Sequence, residues 1–305
     1  MLIAIDHGNK QMKVSGGKVF TSGLHESDTR PPFGDDILKY KDKYYTLSEK
    51  RIPFMRDKSA DDRFYILTLF AIAFEIESAD CHDDGLMRVQ LIAGLPPAHY
   101  GAQFERFEKY FKRGVVEDFE FHNKTFRIFI DEVTTYPQAF AAAMPVYGYI
   151  SALPKVMVID IGGFTADYLL IRNGQPDLSA CDTLEHGVII LYNQVTAKVN
   201  SELDILLDEN DVDAILRGTT NDYSVDVRRT VNDTARVFIS DLFGKLRERS
   251  VDLRSGKTVF VGGGSILLRK QIEESGKVAS PMFVDKIFAN AKGYELLYKA
   301  SKTKR

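Results

Sequence analysis

The stretch "VMVIDIGGFTADYLLI", Val156–Ile171, opens with four apolar residues, Val156 to Ile159, and meets a charge at Asp160. Ile161, Gly162, Gly163, Phe164 and Thr165 follow, and a second apolar run extends from Tyr168 to Ile171. A short apolar run reads as a buried strand, and a glycine pair between two such runs reads as a hairpin turn. A carboxylate at the end of a buried strand, beside two residues without side chains, needs a physical reason. Glycine lets backbone N–H groups come close to a ligand, and successive N–H groups in a turn form an anion-binding nest.

The pattern recurs near the N-terminus. "LIAIDHGNKQMKV", Leu2–Val14, also runs apolar strand, Asp, one residue, Gly, short turn, second strand. Asp6 and Asp160 lie about half the 305-residue chain apart. Repetition at that distance predicts two related domains, not a solenoid. Two facing hairpins would grip a polyphosphate from both sides. Carboxylates repel phosphate, so Asp6 and Asp160 make sense with a divalent cation between, held by the phosphates and through water by the two aspartates. Magnesium behaves this way, keeping several waters and taking few carboxylates. Lys13 would reach back to the phosphates as a point charge. A third cluster, "FVGGGSILLRKQI", places Gly262, Gly263 and Gly264 between a strand and a helix. It is neither a dinucleotide fingerprint nor a Walker A loop. Beside the two hairpins it reads as the floor under an adenosine.

The length fits two domains of ~150 residues. A hydrophobic fraction of 44% and a charged fraction of 27% are ordinary for a soluble globular protein. The net charge of −3 gives no bulk attraction to nucleic acid. Cys81 and Cys181 form no disulfide framework and fit a reducing, cytoplasmic compartment. "CHDD", Cys81–Asp84, lacks a second Cys or His pair at zinc spacing and reads as an exposed loop. The N-terminus is no signal peptide, because a charge ends the apolar run after Ile5. No run of 18 apolar residues occurs, so no membrane span is expected.

Along the first half, short strands are expected at Leu2–Ile5, around Met12–Val14 and around Lys18–Phe20. The polar stretch 25–58 reads as a small appended region with a hairpin near "KYKDKYYTL". Tyr65, Leu69, Ile72 and Ile76 recur at helical spacing. "RVQLIAGLP" reads as a strand, "YGAQFERFEKYFKRG" as an amphipathic helix, and "VVEDFEFHNKTFRIFIDEV" as a hairpin turning at His122–Lys124. "YPQAFAAAMPVYGYI" reads as an alanine-rich helix with Pro137 in its first turn, where proline is tolerated. In the second half, helices are expected near 188–203, 205–218 and 224–249, the last two within an appended region of about 200–255. A terminal helix, about 291–305, closes the chain.

Together these pieces resemble the actin-like ATPase superfamily, most closely the ParM/StbA-type bacterial plasmid segregation proteins and their archaeal relatives. "IAIDHGNKQMK" is similar to the first phosphate loop, "VIDIGGFTAD" to the second, and "VFVGGGSIL" to the adenosine loop. "TTYPQAFAAAM" and "ANAKGYELL" are similar to the connecting helices. The resemblance covers most of the chain in order. It implies an actin-like α/β fold: two ribonuclease-H-like domains, residues 1–150 and 151–290, with a nucleotide cleft between them and the last helix returning to domain I. It implies that Asp6 and Asp160 organise magnesium through water. Gly8, Asn9, Lys13, Gly162, Gly163 and Thr165 would contact phosphates, and Gly262 to Gly264 would flank the adenosine of ATP or GTP. Gln138 would position the attacking water, as a glutamine does in other nucleoside triphosphatases. Many ParM-like proteins carry glutamate there, so Gln138 departs toward the actin form. Asp167 also matches the motif.

The resemblance implies a filament-forming ATPase that positions DNA through an adaptor protein, without contacting nucleic acid or membrane itself. The polar stretch 25–58 and residues 205–221 are the expected filament contacts. The rival from another class is a small-molecule kinase of the same superfold. A kinase needs a carboxylate base near the γ-phosphate. The amide of Gln138 cannot serve, though Asp131 and Glu132 stand close in sequence. A chaperone or scaffold would usually carry an attached peptide-binding domain.

Overall fold

Two glycine-ended strand pairs organise two sheets, each in its own compact unit: Met1–Pro145 with Phe288–Arg305, and Val146–Ile287. The computed structural model describes all residues except 56, 81–84, 221, 304 and 305, and leaves out the side chain of residue 178. The Cys81–Asp84 motif therefore lies outside the described residues.

In chain order the first unit contains β1 (Leu2–His7), β2 (Gln11–Val14), β3 (Val19–Thr21), β4 (Leu24–Ser27), β5 (Ile37–Tyr40), β6 (Lys43–Leu47), α1 (Arg63–Ser78), β7 (Leu86–Leu95), α2 (Pro97–Phe111), β8 (Glu117–Phe121), β9 (Lys124–Pro137) and α3 (Phe140–Ala143). The second contains α4 (Tyr147–Ile150), β10 (Lys155–Ile161), β11 (Ala166–Arg172), β12 (Gln175–Leu184), α5 (Val188–Leu203), α6 (Glu209–Arg217), α7 (Val225–Glu248), β13 (Lys257–Val261), α8 (Gly263–Leu267), α9 (Arg269–Glu274) and β14 (Pro281–Phe283). The last helix, α10 (Ala289–Thr303), belongs to the first unit.

The second sheet runs β12-β11-β10-β13-β14. Its first three strands are antiparallel neighbours, and β10, β13 and β14 are parallel. The first sheet starts with the same plan, β3-β2-β1-β7-β9, with β1, β7 and β9 parallel. Each unit thus has the ribonuclease-H-like strand order implied by the resemblance. The first sheet then continues through β8, β5, β6 and β4. Residues 25–58 supply three of those strands, and Leu38, Tyr40 and Tyr45 enter the core.

Turn chemistry explains the hairpins. Lys41–Asp42 and His122–Asn123 each hold two consecutive positive-φ residues, the twist that two-residue hairpins need. Asn173–Gly174, with φ 48° and 73°, turns β11 into β12 in the same way. Helix α1 is buried nearly all round, from Phe64 through Phe74, not on one stripe as its spacing suggests. The sheet and the aromatic face of α2 cover it, Tyr65 meeting Tyr110 and Phe111. On α10, Tyr294 and Tyr298 pack with Ala4, Ile92 and Ala141. No helix among the described residues is long and apolar enough to cross a membrane.

One expected helix differs. Strand β9 runs on through Pro137, and residues 140–150 break into α3, a 3-10 turn at Met144–Val146, and α4. Pro137 pairs alongside Leu95 in the parallel ladder and is not in a helical first turn. Pro145 lacks the N–H a continuous helix would use there.

His7 shows how closely the first core is filled. It follows Asp6 on β1 but points to the opposite face, as successive strand residues do. The ring is fully buried against Phe107 and Phe111, at centroid distances of 5.7 and 4.8 Å. Thr68 Oγ1 donates to the Phe64 carbonyl (2.7 Å), so its contact of 2.9 Å with Nε2 is received from an Nε2–H imidazole. Burial, and then the charge of Lys58, push the His7 pKa down to about 3. The unfolded chain accepts this proton near pH 6.5, while the folded chain resists it. Stability is therefore full above pH ~6.5 and falls on acidification toward pH ~3, by on the order of 1 kcal/mol per pH unit. The urea midpoint should drop between pH 7 and pH 5, and His7→Phe should shrink that drop. An unchanged drop in the variant would remove His7 as its source.

Candidate functional site

Asp6, one residue before the end of β1, is 3% exposed. Its cross-strand partner is Lys13, whose Nζ lies 3.3 Å from Asp6 Oδ2. Gln138 Nε2 donates to the other oxygen, Oδ1, at 3.0 Å. Lys13 from the same hairpin and Gln138 from far along the chain therefore meet on the Asp6 carboxylate. Gly8 opens the turn, and a Cβ there would come within 2.5 Å of the Gln11 carbonyl. The Gly8 carbonyl accepts from the buried Ser22 Oγ at 2.5 Å. Because a trans peptide sets C=O and N–H on opposite sides, the Asn9 amide points away from Ser22. Asn9 Oδ1 is sheltered and makes no hydrogen bond. The side-chain amide orientation is interchangeable at such a position, so Asn9 can offer a donor to an anion.

Gln138 owes its place to backbone rather than to a helix. Its N–H donates to the Leu95 carbonyl (2.8 Å), extending the β7–β9 pairing. Ala139 then takes φ 59°, ψ −55°, and Phe140 N–H returns to the Gln138 carbonyl. This is a γ-turn of the rare, strained hand. A non-glycine residue in that region costs on the order of 1–3 kcal/mol, and the fully buried Ala139 holds it inside the core.

In the second unit, Asp160 is 5% exposed and lies directly across from Asp167 on β11. Thr183 Oγ1 donates to Asp167 Oδ1 at 2.6 Å, and Thr165 Oγ1 approaches Oδ2 at 3.5 Å. Asp167 is thus anchored within the sheet, and Thr165 stands beside it. The turn closes with Gly162 N–H donating to the Thr165 carbonyl (2.8 Å).

The start of α5 docks on this turn. Val188 N–H donates to the Gly162 carbonyl, Ile189 N–H to that of Gly163, and Gly187 N–H to that of Phe164. A Cβ on Gly187 would collide with Gly163 backbone, so the approach requires glycine. With three successive carbonyls committed to α5, the amides of Gly163, Phe164 and Thr165 face the other way. They form a nest of the kind that binds oxyanions. His186, just before α5, stacks on Phe238 at 4.6 Å and accepts from Lys245 Nζ at 3.0 Å. Burial first, and Lys245 second, hold its pKa below the ordinary histidine value.

Gly262 follows β13 with φ +86°. A Cβ there would strike Asp160 Oδ1, so glycine keeps that carboxylate clear. Gly263 and Gly264 open α8, and a Cβ on Gly264 would press on Ile161 and Val188. The third glycine cluster is therefore packed against the Asp160 turn. Among the described residues, no group of three or more His, Cys, Asp or Glu side chains is placed to hold a metal ion.

Fold and site define a two-unit protein of the actin class. The chain belongs to the actin-like proteins: residues 4–140 match the actin-like protein N-terminal domain, and residues 158–274 match the archaeal actin homologue MreB-like C-terminal domain. The structure is similar to Ta0583, an archaeal actin homolog, in complex with ADP, with 18% identity, 98% of this chain and 99% of that chain covered, and a TM-score of 0.73. It is similar to Bacillus thuringiensis ParM with AMPPNP at 11% identity, 99% of each chain and a TM-score of 0.68. The Alp12 filament structure gives 16% identity, 98% of each chain and 0.64. No curated protein matches the sequence.

Proposed function

We propose that this chain is a nucleoside triphosphatase that takes magnesium with ATP or GTP on the strand-end turns of its two units and assembles into filaments. The observation that carries the reading is the β10–β11 turn, where three successive amides face away from α5 beside Asp160. Lys13, Asn9 and the Gly8 turn offer the matching contacts in the first unit. Asp6 and Asp160 would hold the waters of magnesium, which neutralises phosphate charge when bound. Gln138 would orient the attacking water, and Gly262 to Gly264 would lie under the adenosine. Membership of the actin-like proteins supports this, as do the nucleotides in the Ta0583 and ParM structures.

Assembly follows from differential binding. A ligand that touches both turns favours the conformation in which both can reach it. If complementary surfaces become fixed by that conformation, head-to-tail contacts grow into a filament. By its resemblance to ParM, the filament would move a plasmid through a DNA-binding adaptor in the cytoplasm.

The kinase reading is less well supported. Its candidate bases are occupied: Arg88 Nε binds Asp131 at 2.7 Å, while Tyr298 OH and Lys302 Nζ bind Glu132 at 2.6 and 3.1 Å. The test is light scattering of micromolar protein with magnesium and ATP, GTP or a slowly hydrolysed analogue. Scattering should rise with a triphosphate and decay as it is consumed. A signal that stays at the monomer level at every concentration and nucleotide would favour the kinase.

A further inference from the structure

The loop joining β4 to β5 holds Phe33 out into solvent, 87% exposed. Pro31 and Pro32 stiffen its approach, and Gly34 turns it with φ +105°. Both ends are tied to the β8–β9 turn. Arg30 Nη2 donates to Asn123 Oδ1 at 3.1 Å, and Asp36 Oδ1 meets His122 Nε2 at 3.0 Å. An aromatic ring presented by an anchored loop loses little conformational freedom when it docks. Two carboxylates, Asp28 and Asp35, are exposed on the same loop, and its cation, Arg30, is turned to Asn123.

The second unit carries a cavity of about 520 Å³ with the complementary character. Leu216 and Val225 give it an apolar part, and Arg217, Arg229, Arg236 and Lys270 give it a basic rim. Asp233 also lines it, engaged by Arg236 at 2.7 Å. Arg229 pairs with Asp226 at 2.8 Å and Lys270 with Glu274 at 3.9 Å. These pairs are exposed, and such pairs contribute little to stability. The basic groups can therefore exchange partners at small cost.

We propose that the Phe33 loop of one copy seats in this cavity of another copy. The ring lies on Leu216 and Val225, and Asp35 meets Arg229 and Arg236. This contact gives the assembly reading above its residues, and it rests on that reading for its role in a filament. Because loop and cavity are different surfaces, the contact is heterologous and can repeat without closing.

The test uses copies with Cys81 and Cys181 changed to serine, mixed in pairs with magnesium and a slowly hydrolysed nucleotide. One copy carries Pro32→Cys, beside the ring, and the other Thr220→Cys on the cavity lining, so that Phe33 and Val225 stay in place, and a short bismaleimide joins thiols that meet. Cross-linking should exceed by about tenfold that of Pro32→Cys with Val237→Cys, a control on α7 outside the cavity. Phe33→Ala should raise the concentration needed for assembly more than about tenfold, as loss of an aromatic anchor does. No excess cross-link overturns the contact, whether or not scattering rises. A cross-link without scattering keeps the contact as a closed dimer and removes the filament.

Discussion

Asp160→Ala is expected to cut nucleotide hydrolysis at least about a hundredfold while leaving the folded protein as stable as its parent, or slightly more so. The loss follows if Asp160 holds magnesium water, because the ion supplies several kcal/mol of charge stabilisation in phosphoryl transfer. The stability result follows from its neighbour. Asp160 stands opposite Asp167 across the β10–β11 pair, and like charges placed so are unfavourable by roughly 0.2–1 kcal/mol. Asp167 keeps its Thr183 hydrogen bond in the variant. A carboxylate that merely capped the turn would show the reverse, with stability falling and turnover near normal. Phosphate release and the thermal midpoint, measured on one preparation, separate the two.

The residues that decide the fold were legible because their signals are local. An apolar run, a carboxylate and a glycine pair specify the β10–β11 turn without help from distant sequence. The period of Val225–Glu248 marks α7 in the same way, and its capping serine, Ser224, accepts from Val227 N–H. The Asn173–Gly174 hairpin carries an equally strong local signal, so β12, absent from the elements expected above, is legible in the sequence as well. The setting of Gln138 was not legible. Proline suits both a helical first turn and a strand end, and only the non-local pairing with β7 decides between them. The positive φ of Ala139 is likewise imposed by the surrounding core, since alanine has no preference for it. Burial of α1 on all sides was hidden because its outer cover, α2, lies beyond a strand in sequence. The docking of α5 amides on the Gly162–Phe164 carbonyls joins two segments that sequence spacing treats as separate, and it is this contact that turns a glycine pair into a directed nest.

Gln138→Ala is expected to slow hydrolysis on the order of a hundredfold, as removal of one preorganised hydrogen-bonding group does, with nucleotide affinity changed less than about threefold. Affinity should hold because Asp6 retains Lys13 after the amide is lost. The rate should fall because the γ-turn at Ala139 fixes the backbone of Gln138, whose neighbours Pro137, Ala139 and Phe140 carry no polar side chain. Gln138→Glu sharpens the assignment. It puts a second carboxyl about where Nε2 now lies, 3.0 Å from Asp6 Oδ1. Two carboxylates that close cannot both ionise easily, so one of them holds its proton to higher pH. While protonated, the pair can still share a hydrogen bond; on ionisation it repels. The Glu variant should therefore lose activity progressively as pH rises through the raised carboxyl pKa, a dependence absent from the parent over the same range. Single-turnover rates and nucleotide titrations across pH measure both effects. Equal losses of affinity and rate in the Ala variant, with no pH dependence in the Glu variant, would make Gln138 a ligand contact and leave the attacking water to another group.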